Sequence, residues 1–578
     1  MDLSLFESKK LTNKLILICF AIHVTPKVNI WSSNIFGKGA EQLDFVAFAS
    51  NNRVVRRVRE LNMYVRSTKL VRASSVNWLD KLNGYLGADA YSTAWVGMVP
   101  SMDNPNEPEW ESAVAYLRSS QLGDGGWGEP EILYAYERTI STLAAIQALL
   151  TWSKGGIQTE ARVRKGLNAL RTYAKQLPGE PFAPVGFELL LPSFIENLQE
   201  FSDELPLGDW DLVVSKLYHK KLEALRGLKI DYDNPRAWWF SLELLPIERL
   251  AQLDNRILND DGSIQTSVAA TAAFLRAKRL AGDDVPQAAN FLNHVIEMGN
   301  GSVPFSSPAE NFERVWGVDN FRRIGLHPQD PMIMSVIEMI DDAWHRGHPG
   351  LSSSNSFDVN DGDDTFLGLG ILNWADIEVD IQPALDFWSE DHFRSYMDEA
   401  DTSISANIHA LEALRLQRGL PYRHYAETVT GWLRAHMGSD IPFHDKWHLS
   451  PLYTAAHALH ATINWDQIIV DRCLDFILSS QFDNGGWGWF GTPTLEETSH
   501  CVIALGYVSK YQGFEVDDAL RRAATYLASR AEMKPVERLW IGKTLFRPEG
   551  VLEALLHSAY VLLVMLGYAD NLFPVSTR

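Results

Sequence analysis

The octapeptide QFDNGGWG at residues 481–488 is the strongest indication of the architecture, and QLGDGGWG at residues 121–128 is a second copy. Both share the pattern Q-x-x-x-G-x-W, and each follows a run of helical character, over residues 473–480 and 113–120. The glycines permit a tight turn between helices, while the Gln amide and the Trp ring can join neighbouring helix ends. Repeated helix pairs of this kind predict a helical solenoid or a closed ring.

The chain from residue 76 onward has the same helical texture. Apolar residues recur at intervals of three and four, and Gly, Pro, Asn and Asp separate runs of helix length. A third turn, NDDGS at residues 259–263, resembles a degenerate copy and precedes the apolar run at 269–275. Because sustained alternation of period two is missing, the predicted fold class is all-α.

Length, amino-acid composition and net charge restrict the classes of protein to which the chain can belong. A chain of 578 residues with 46% hydrophobic residues and 19 Trp is long enough for two or more domains with large apolar cores. Its formal charge of -21 argues against a nucleic-acid partner. The three cysteines, Cys19, Cys473 and Cys501, form neither paired metal-ligand spacings nor a disulfide framework, so we expect a reducing compartment, the cytoplasm.

Residues 1–75 differ from the rest and are predicted to be a peripheral or disordered extension. The apolar octet at 15–22 is far too short to span a membrane, and a small-x-small cleavage site does not follow it. Seven Arg and Lys residues between 53 and 72 alternate with apolar residues, which is typical of a solvated amphipathic helix. An integral membrane span is therefore not expected.

The stretch FDVNDGDDTF at residues 357–366 concentrates four carboxylates in seven positions. Like charges this close cannot all ionise cheaply, so at least one carboxyl group should keep its proton near neutral pH. The aspartates also precede a predicted helix over 365–374, whose N-terminal dipole would stabilise the anion left after proton loss. The run therefore has the properties of a stored acid.

Two simpler interpretations of this run stay open on its residues alone. It could be a solvated acidic loop that caps a helix, or a calcium loop. An EF-hand loop requires Glu at its twelfth position, and that position is Leu369 or Leu372, depending on where counting begins.

Together, the Q-x-x-x-G-x-W turns and the D-x-D-D-T motif at 361–365 resemble the class II terpene cyclases, and the resemblance covers residues 76–570. It extends to motifs of the diterpene, copalyl diphosphate synthase-like branch, although Ser92 stands where that branch usually carries Asp. These motifs are YSTAW at 91–95, GFELLLP at 186–192, WGVDNFRRIG at 316–325 and LWIGKTL at 539–545.

The resemblance implies two α/α-barrel (toroid) domains, called β and γ. Residues 76–100 and 316–578 are assigned to the β domain, which carries the acid motif, and residues 101–315 to a γ domain inserted in it. It also implies the roles of the acidic residues: Asp363 as the proton donor, Asp361 and Asp364 as groups that tune it, and Asn407 as an amide that orients it. For Asp364 a helix cap, and for Asn407 an ordinary buried amide, are the alternatives.

Further residues are candidates for substrate and metal binding. Trp316 and Trp344 are candidates to stabilise carbocations with their ring faces, since an anion would quench such intermediates. Lys446 and Lys543 could neutralise diphosphate oxygens, with surface lysine as the alternative. Glu180 lies where plant relatives carry an acidic motif associated with Mg²⁺, although here the motif is reduced to EPFAP at 180–184.

The implied activity is that of an isomerase, a class II cyclase acting on geranylgeranyl diphosphate to give a bicyclic diphosphate. The sequences DDAWH at 341–345 and DDVPQ at 283–287 each lack the final Asp of a D-D-x-x-D motif, so the diphosphate should be retained. A class I terpene synthase or a phosphatase could then act on the product. Farnesyl diphosphate is the alternative substrate, and a squalene-hopene-type triterpene cyclase is a less favoured alternative.

Two other classes fit less well. A protein prenyltransferase barrel needs zinc held by Asp, Cys and His with Asp two positions before Cys; Asp471 and Cys473 meet that spacing in unsuitable surroundings. A helical-repeat binding scaffold has no reason to place three aspartates before an apolar helix.

Overall fold

The structure is a computed structural model that describes residues 82, 84–152, 156–211, 230–347, 349–397, 399, 402–417, 419, 421–511 and 514–569. The extension predicted for residues 1–75, with its apolar octet and basic stretch, lies outside the described residues. Within them the only named strands are four of two residues each, and helices dominate, so the all-α prediction is confirmed.

The first half of the described chain closes into a ring of helices. The ring runs from α1 to α3, α5, a kinked 3₁₀ segment Ala237–Leu244, α7 and back to α1, while α2, α4, α6 and α8 pack outside it. Its helices are α1 Ala90–Gly97, α2 Glu111–Ser119, α3 Ala135–Thr151, α4 Ile157–Ala174, α5 Phe187–Asn197, α6 Ile247–Ala251, α7 Val268–Leu280 and α8 Pro286–Met298.

The second half forms a larger ring of alternating inner and outer helices. The inner helices α9, α11, α13, α15, α17 and α19 contact one another in that order, and α19 closes the ring on α9. The helices of this half are α9 Glu310–Arg323, α10 Pro331–Trp344, α11 Gly362–Trp374, α12 Gln382–Leu385, α13 Ile404–Leu416, α14 Arg423–Ala435, α15 Pro451–Thr462, α16 Gln467–Ser479, α17 Leu495–Val508, α18 Asp517–Ala528 and α19 Glu549–Leu566. Two antiparallel hairpins accompany them: β1 Trp388–Ser389 with β2 His392–Phe393, and β3 Trp540–Ile541 with β4 Leu545–Phe546.

The distribution of apolar residues around each helix explains whether it lies in the inner or the outer layer of the ring. All residues of α15 are buried, whereas α14 buries one face only, through Ala426, Val429, Thr430, Trp432 and Leu433. A helix that is apolar on all sides must lie inside, and an amphipathic helix covers it. Helix α19 is long and apolar enough to cross a membrane, but 72% of that stretch is buried and it packs on α9, α17 and α18.

The two Q-x-x-x-G-x-W turns join an outer helix to the next inner one. Gln481 Nε2 donates to the carbonyls of Gly485 and Ala519, both at 2.9 Å, and Trp487 Nε1 donates to the carbonyl of Ile477 at 2.7 Å. The copy at 121–128 makes the same three hydrogen bonds. Its Gln side chain donates to the carbonyls of residues 125 and 162, and its Trp side chain donates to the carbonyl of residue 117. Each turn therefore binds three successive helices together.

The segment that precedes α2, which the sequence analysis assigned to the second ring, contacts both rings. Gly84 and Leu86 do contact the second ring, since Gly84 N–H donates to Glu313 at 2.8 Å and the carbonyl of Leu86 accepts from Arg547 N–H at 3.3 Å. Helix α1, however, packs on α3 and α7 of the first ring, although the sequence assignment placed residues 76–100 with the second. Every residue of α1 is buried, so this helix is a wall of the first ring.

Candidate active site

The three aspartates of the D-x-D-D motif lie at the start of α11. Asp361 is the N-cap residue, and its Oδ1 accepts a hydrogen bond from Asp364 N–H at 2.8 Å. Asp363 and Asp364 occupy the first turn, where the helix dipole favours negative charge. The helix thus begins at Gly362, three residues before the predicted start, because Asp361 provides the cap.

Asp363 is held through both carboxyl oxygens by α13. Its Oδ1 is hydrogen-bonded to His409 Nδ1, and its Oδ2 accepts from Ser405 Oγ at 3.2 Å. Ser405 Oγ also lies 2.9 Å from Asp445 Oδ2, so a second carboxylate stands behind the first. The Asp363 residue is only 8% exposed, which shields the carboxyl group from bulk water.

Asp364 faces another inner helix. Its Oδ1 accepts a hydrogen bond from the indole Nε1 of Trp316 on α9 at 3.2 Å. The motif therefore joins three inner helices, α9, α11 and α13, at one point inside the second ring. Trp316, the candidate to stabilise carbocations, thus lies next to Asp364.

Burial and crowding raise the proton affinity of the flanking carboxyl groups. Burial, and next the charge of Asp364, raises the pKa of Asp361 well above its ordinary value. Burial and the charge of Asp363 raise the pKa of Asp364 to about 7, although hydrogen bonds from neighbouring groups oppose this shift. The motif therefore holds protons near neutral pH, as expected for carboxylates crowded in an apolar interior.

An aromatic cluster surrounds Trp316. Its ring centroid lies 5.0 Å from that of Trp540, 5.6 Å from Phe312 and 6.1 Å from Tyr453. Ring faces attract cations without reacting with them. A proton donor beside such a cluster suits the generation of a carbocation, because the rings stabilise positive charge and exclude water.

A hydrogen-bonded chain extends from His409 away from Asp363. His409 Nε2 lies 2.8 Å from His457 Nδ1, which lies 3.3 Å from Arg323 Nη2. Arg323 is paired with Asp319 and Glu412, and so is Arg322. Burial opposes ionisation of Asp319, but the two arginines outweigh it and lower the pKa of Asp319 to about 2.

The structure also gives the contacts of two further candidates, Asn407 and Trp344. The Asn407 side chain binds backbone, with Oδ1 accepting from Phe393 N–H at 2.8 Å and Nδ2 donating to the carbonyls of Phe393 and Ser403. The groups that contact Asp363 are instead Ser405 and His409. Trp344 ends the outer helix α10 and packs against Gly368 of α11, so it supports the ring wall from outside.

The two predicted lysines are both ion-paired. Lys446 Nζ binds Glu399 and stacks over Trp447, close to the Asp445 that contacts Ser405. Lys543 is fully buried, with its Nζ 2.7 Å from both Glu243 and Ser267 of the first half of the chain. Lys446 thus lies near the acid, while Lys543 joins the β3–β4 hairpin to the first ring.

Glu180 lies in the first ring, where its Oε1 accepts a hydrogen bond from Ala135 N–H at 3.2 Å. Burial raises the pKa of its carboxyl group. Among the described residues, clusters of three or more His, Cys, Asp or Glu side chains able to hold a metal ion are absent. Mg²⁺ with a diphosphate often takes one or two protein carboxylates and completes its shell with phosphate oxygens and water, so a single Glu is compatible with such a site.

Several residues of the site escaped the sequence analysis: Ser405, His409, Asp445, Tyr453, His457 and Trp540. The helical period could have indicated some of them. Ser405 and His409 are four residues apart on α13 and therefore lie on one face of that helix. Tyr453 and His457 have the same spacing on α15.

Comparison with known proteins identifies close relatives in sequence. The type B diterpene cyclase of Mycobacterium tuberculosis is 32% identical over 499 residues, which cover 83% of this chain and 96% of that protein. A plant relative is longer: the bifunctional isopimaradiene synthase of Picea abies is 32% identical over 300 residues, or 32% of its length. Protein-family models do not match the chain.

Solved structures agree on the fold. The ent-copalyl diphosphate synthase of Streptomyces platensis superposes with a TM-score of 0.68 at 23% identity, over 87% of this chain and 99% of that one. The ent-copalyl diphosphate synthase of Arabidopsis thaliana was solved with an aza-dihydrogeranylgeranyl thiolodiphosphate. It superposes with a TM-score of 0.60 at 21% identity, over 86% of this chain and 63% of that one. The two rings are therefore the α/α toroids of class II terpene cyclases.

Proposed function

The chain belongs to the class II diterpene cyclase family, and we propose that it cyclises geranylgeranyl diphosphate to a bicyclic labdane-, copalyl- or halimadienyl-type diphosphate. The observation that carries the proposal is Asp363, a buried carboxyl group held by His409 and Ser405 beside the aromatic cluster of Trp316. Protonating an unactivated alkene requires a strong acid shielded from water, with groups nearby that tolerate positive charge.

In the proposed reaction Asp363 protonates the terminal alkene, and the tertiary cation then closes two rings. Asp361 and Asp364 tune the donor by their charge and hydrogen bonds. Trp316, Tyr453 and Trp540 stabilise the cation through their ring faces. A final deprotonation or capture of water ends the sequence, and the diphosphate is retained.

The substrate is assigned by likeness to relatives. The Arabidopsis enzyme was solved with a geranylgeranyl thiolodiphosphate analogue, which supports a C20 substrate for this chain. Farnesyl diphosphate, giving a drimane skeleton, is the alternative, and a triterpene substrate is less favoured. The retained diphosphate makes the product a substrate for a class I synthase or a phosphatase, and the sparse cysteines favour the cytoplasm as the site of reaction.

The test is incubation of the protein with geranylgeranyl and farnesyl diphosphates, followed by phosphatase treatment and mass spectrometry. We expect a bicyclic alcohol after phosphatase, in greater yield from the C20 substrate. Hydrocarbon products that appear without phosphatase would overturn the proposed retention of the diphosphate. Preferential turnover of farnesyl diphosphate would favour the sesquiterpene alternative.

Mg²⁺ is the proposed cofactor, with Glu180 as its protein ligand and charge neutralisation of the diphosphate as its contribution. Activity should rise and then fall as magnesium is added. Glu180→Ala should raise KM by about tenfold with a smaller effect on kcat, because the carboxylate acts on binding and not on proton transfer. Steady-state kinetics across a magnesium series measures both effects, and an unchanged KM would remove Glu180 from the site.

A further inference from the structure

The helix that carries Asp363 is fixed at its first residue by a neighbouring stretch of chain. This stretch begins in β2 and consists of residues 393–397 with Glu399; we call it the cap segment. Gly362 N–H, at the first position of α11, donates to the carbonyl of Ser395 at 2.7 Å. An N–H in the first turn lacks an acceptor within its own helix, so the cap segment provides it and thereby sets where α11 begins.

The helix and the cap segment are also packed too closely to slide. A Cβ atom at Gly362 would lie 2.3 Å from the carbonyl oxygen of Arg394, so only glycine fits there. Ser395 is 1% exposed and cannot move outward without opening the packing around it. A displacement of the cap segment is therefore transmitted to the start of α11, where Asp363 is the next residue.

Side chains from two other elements hold the first part of the cap segment. Asn407 Oδ1, on α13, accepts from Phe393 N–H at 2.8 Å. Trp447 Nε1 donates to Ser395 Oγ at 3.2 Å. The position of Ser395 is therefore determined by groups outside its own segment.

A buried ion pair holds the end of the cap segment. Glu399 Oε1 accepts from Ser395 N–H at 2.6 Å, and Glu399 Oε2 is paired with Lys446 Nζ. The side chains of Lys446 and Glu399 are only 13% and 7% exposed. Removing one partner of such a pair leaves a buried charge without compensation. Without Lys446, the Glu399 carboxylate would turn toward water and release Ser395 N–H.

The tripeptide that contains Lys446 also holds the partner of Asp363 on the opposite side. Asp445 Oδ1 accepts from Ser405 N–H at 3.0 Å, and Asp445 Oδ2 lies 2.9 Å from Ser405 Oγ. That hydroxyl group lies 3.2 Å from Asp363 Oδ2. Residues 445–447 therefore fasten both the helix of the acid and the side chain that binds its carboxyl group.

We propose that Lys446 is a positioning residue for the acid: through Glu399 and Ser395 it fixes the start of α11 and with it the carboxyl group of Asp363. The inference rests on the proposed role of Asp363 as the proton donor. Proton transfer to an alkene requires the O–H group to point at the π bond, and a misplacement of about 1 Å can lower a rate roughly a hundredfold. The other role for Lys446, contact with the diphosphate, would act on substrate binding.

The decisive experiment compares Lys446→Met with Glu399→Ala. Lys446→Met removes the charge but keeps an unbranched side chain, whereas Glu399→Ala leaves Lys446 in place and removes only its partner. If Lys446 positions the acid, both variants should lower kcat by about tenfold to a hundredfold with little change in KM. A raised KM in Lys446→Met, together with a wild-type kcat in Glu399→Ala, would assign Lys446 to the diphosphate and overturn the inference.

Arg394→Gln is the matched control within the cap segment. Its guanidinium donates to the carbonyl of Met397 at 3.0 Å, so this substitution changes a side chain of the segment without altering the pair of Lys446 and Glu399. Both kinetic constants should stay near those of the wild type. A loss of kcat as large as in Lys446→Met would show that any change in the segment has this effect, and would overturn the specific role of Lys446.

Hydrogen exchange in the resting protein separates this inference from the proposed function. Mass spectrometry of peptides that contain Gly362 should show faster amide exchange in Lys446→Met and Glu399→Ala than in the wild type and Arg394→Gln, because the bond to Ser395 is weakened. Unchanged exchange in both variants would overturn the inference. An active Asp363→Asn would overturn the proposed acid and leave the exchange result intact.

Trp447→Phe provides a test that does not leave a buried charge. It removes only the indole donor to Ser395 Oγ, so it keeps the question answerable if Lys446→Met or Glu399→Ala does not fold. We expect a smaller loss of kcat, an unchanged KM and faster exchange at Gly362. Wild-type kcat and exchange in a folded Trp447→Phe would show that the cap segment does not control the acid, and would overturn the inference.

Discussion

Asp363 is the residue on which the proposed chemistry depends. Asp363→Asn keeps the size of the side chain and one acceptor for Ser405 but cannot release a proton to an alkene. We expect kcat to fall by at least about a thousandfold while substrate binding persists, since the lost interaction belongs to the transition state. Steady-state kinetics and binding of an unreactive substrate analogue measure the two effects.

The flanking aspartates provide the comparison for that variant. Asp361→Asn and Asp364→Asn replace a neighbouring titratable group and leave the donor in place, so each should reduce the rate less than Asp363→Asn. Circular dichroism shows whether each variant is folded. A folded Asp363→Asn that turns over near the wild-type rate would favour a capping or calcium role for the motif.

The aspartates could be predicted because they are contiguous in sequence, whereas their partners could not. Asn407 was the candidate orienting amide, with an ordinary buried amide as the alternative, and His409 lies only two positions further along α13. Two residues correspond to about 200° around a helix, so Asn407 points away from the face that carries Ser405 and His409. Ser403 caps the N-terminus of α13, since its Oγ accepts from Ala406 N–H. This cap fixes where α13 begins and therefore which of its residues face Asp363.

At the scale of elements, the Trp of each repeated turn makes a testable contribution to stability. Trp487 is fully buried, and its Nε1 donates to the carbonyl of Ile477. Trp487→Phe leaves that buried carbonyl with only the longer bond from Ser480 N–H at 3.3 Å, and should cost about 1–3 kcal/mol. Thermal unfolding followed by circular dichroism should show a lower midpoint.

A matched control lies two residues further along the same loop. Trp489 is 37% exposed, so Trp489→Phe should leave the unfolding midpoint nearly unchanged. Equal losses in both variants would mean that the loop is sensitive to any change of ring and that the hydrogen bond is not the cause. Trp127→Phe tests the same bond in the first ring.

The repeated turns show which elements the sequence could predict. Their Gln, Gly and Trp residues act locally, within one turn and the adjoining helices, so their spacing alone predicts the contacts. The position of α1 depends on a choice between two rings, and both offer apolar surfaces to a short buried helix. Such tertiary choices are not encoded in local spacing, so the assignment of residues 76–100 to the second ring depended on the family resemblance alone.

For the whole molecule, Glu313 links distant parts of the chain in a pH-dependent way. Its carboxyl group accepts from Gly84 N–H at 2.8 Å and Gly550 N–H at 2.9 Å. Burial raises its pKa from 4.5 to about 8, despite these hydrogen bonds. Since the folded state binds this proton more tightly than the unfolded state, the associated stability is full below pH 4.5 and is lost as pH rises through 8.

The measurement is the thermal midpoint at pH 5, 6.5 and 8 for the wild type and Glu313→Gln. The wild type should lose on the order of a few kcal/mol of stability across this range, part of it from Glu313. Glu313→Gln should show a shallower decline, because an amide does not titrate. A decline as steep as that of the wild type would assign the pH dependence to other buried carboxyl groups, such as Asp364.

The closure of the second ring by α19 also determines when the acid can form during biosynthesis. Glu313 on α9 and Gly550 in α19 are 237 positions apart, so the ribosome must translate nearly the whole ring before this contact exists. Until then the apolar faces of α9, α11 and α13 remain uncovered and open to chaperones. Assembly of a water-shielded Asp363 therefore waits for the synthesis of α19, and a chain that stops before this helix should lack the proposed acid site.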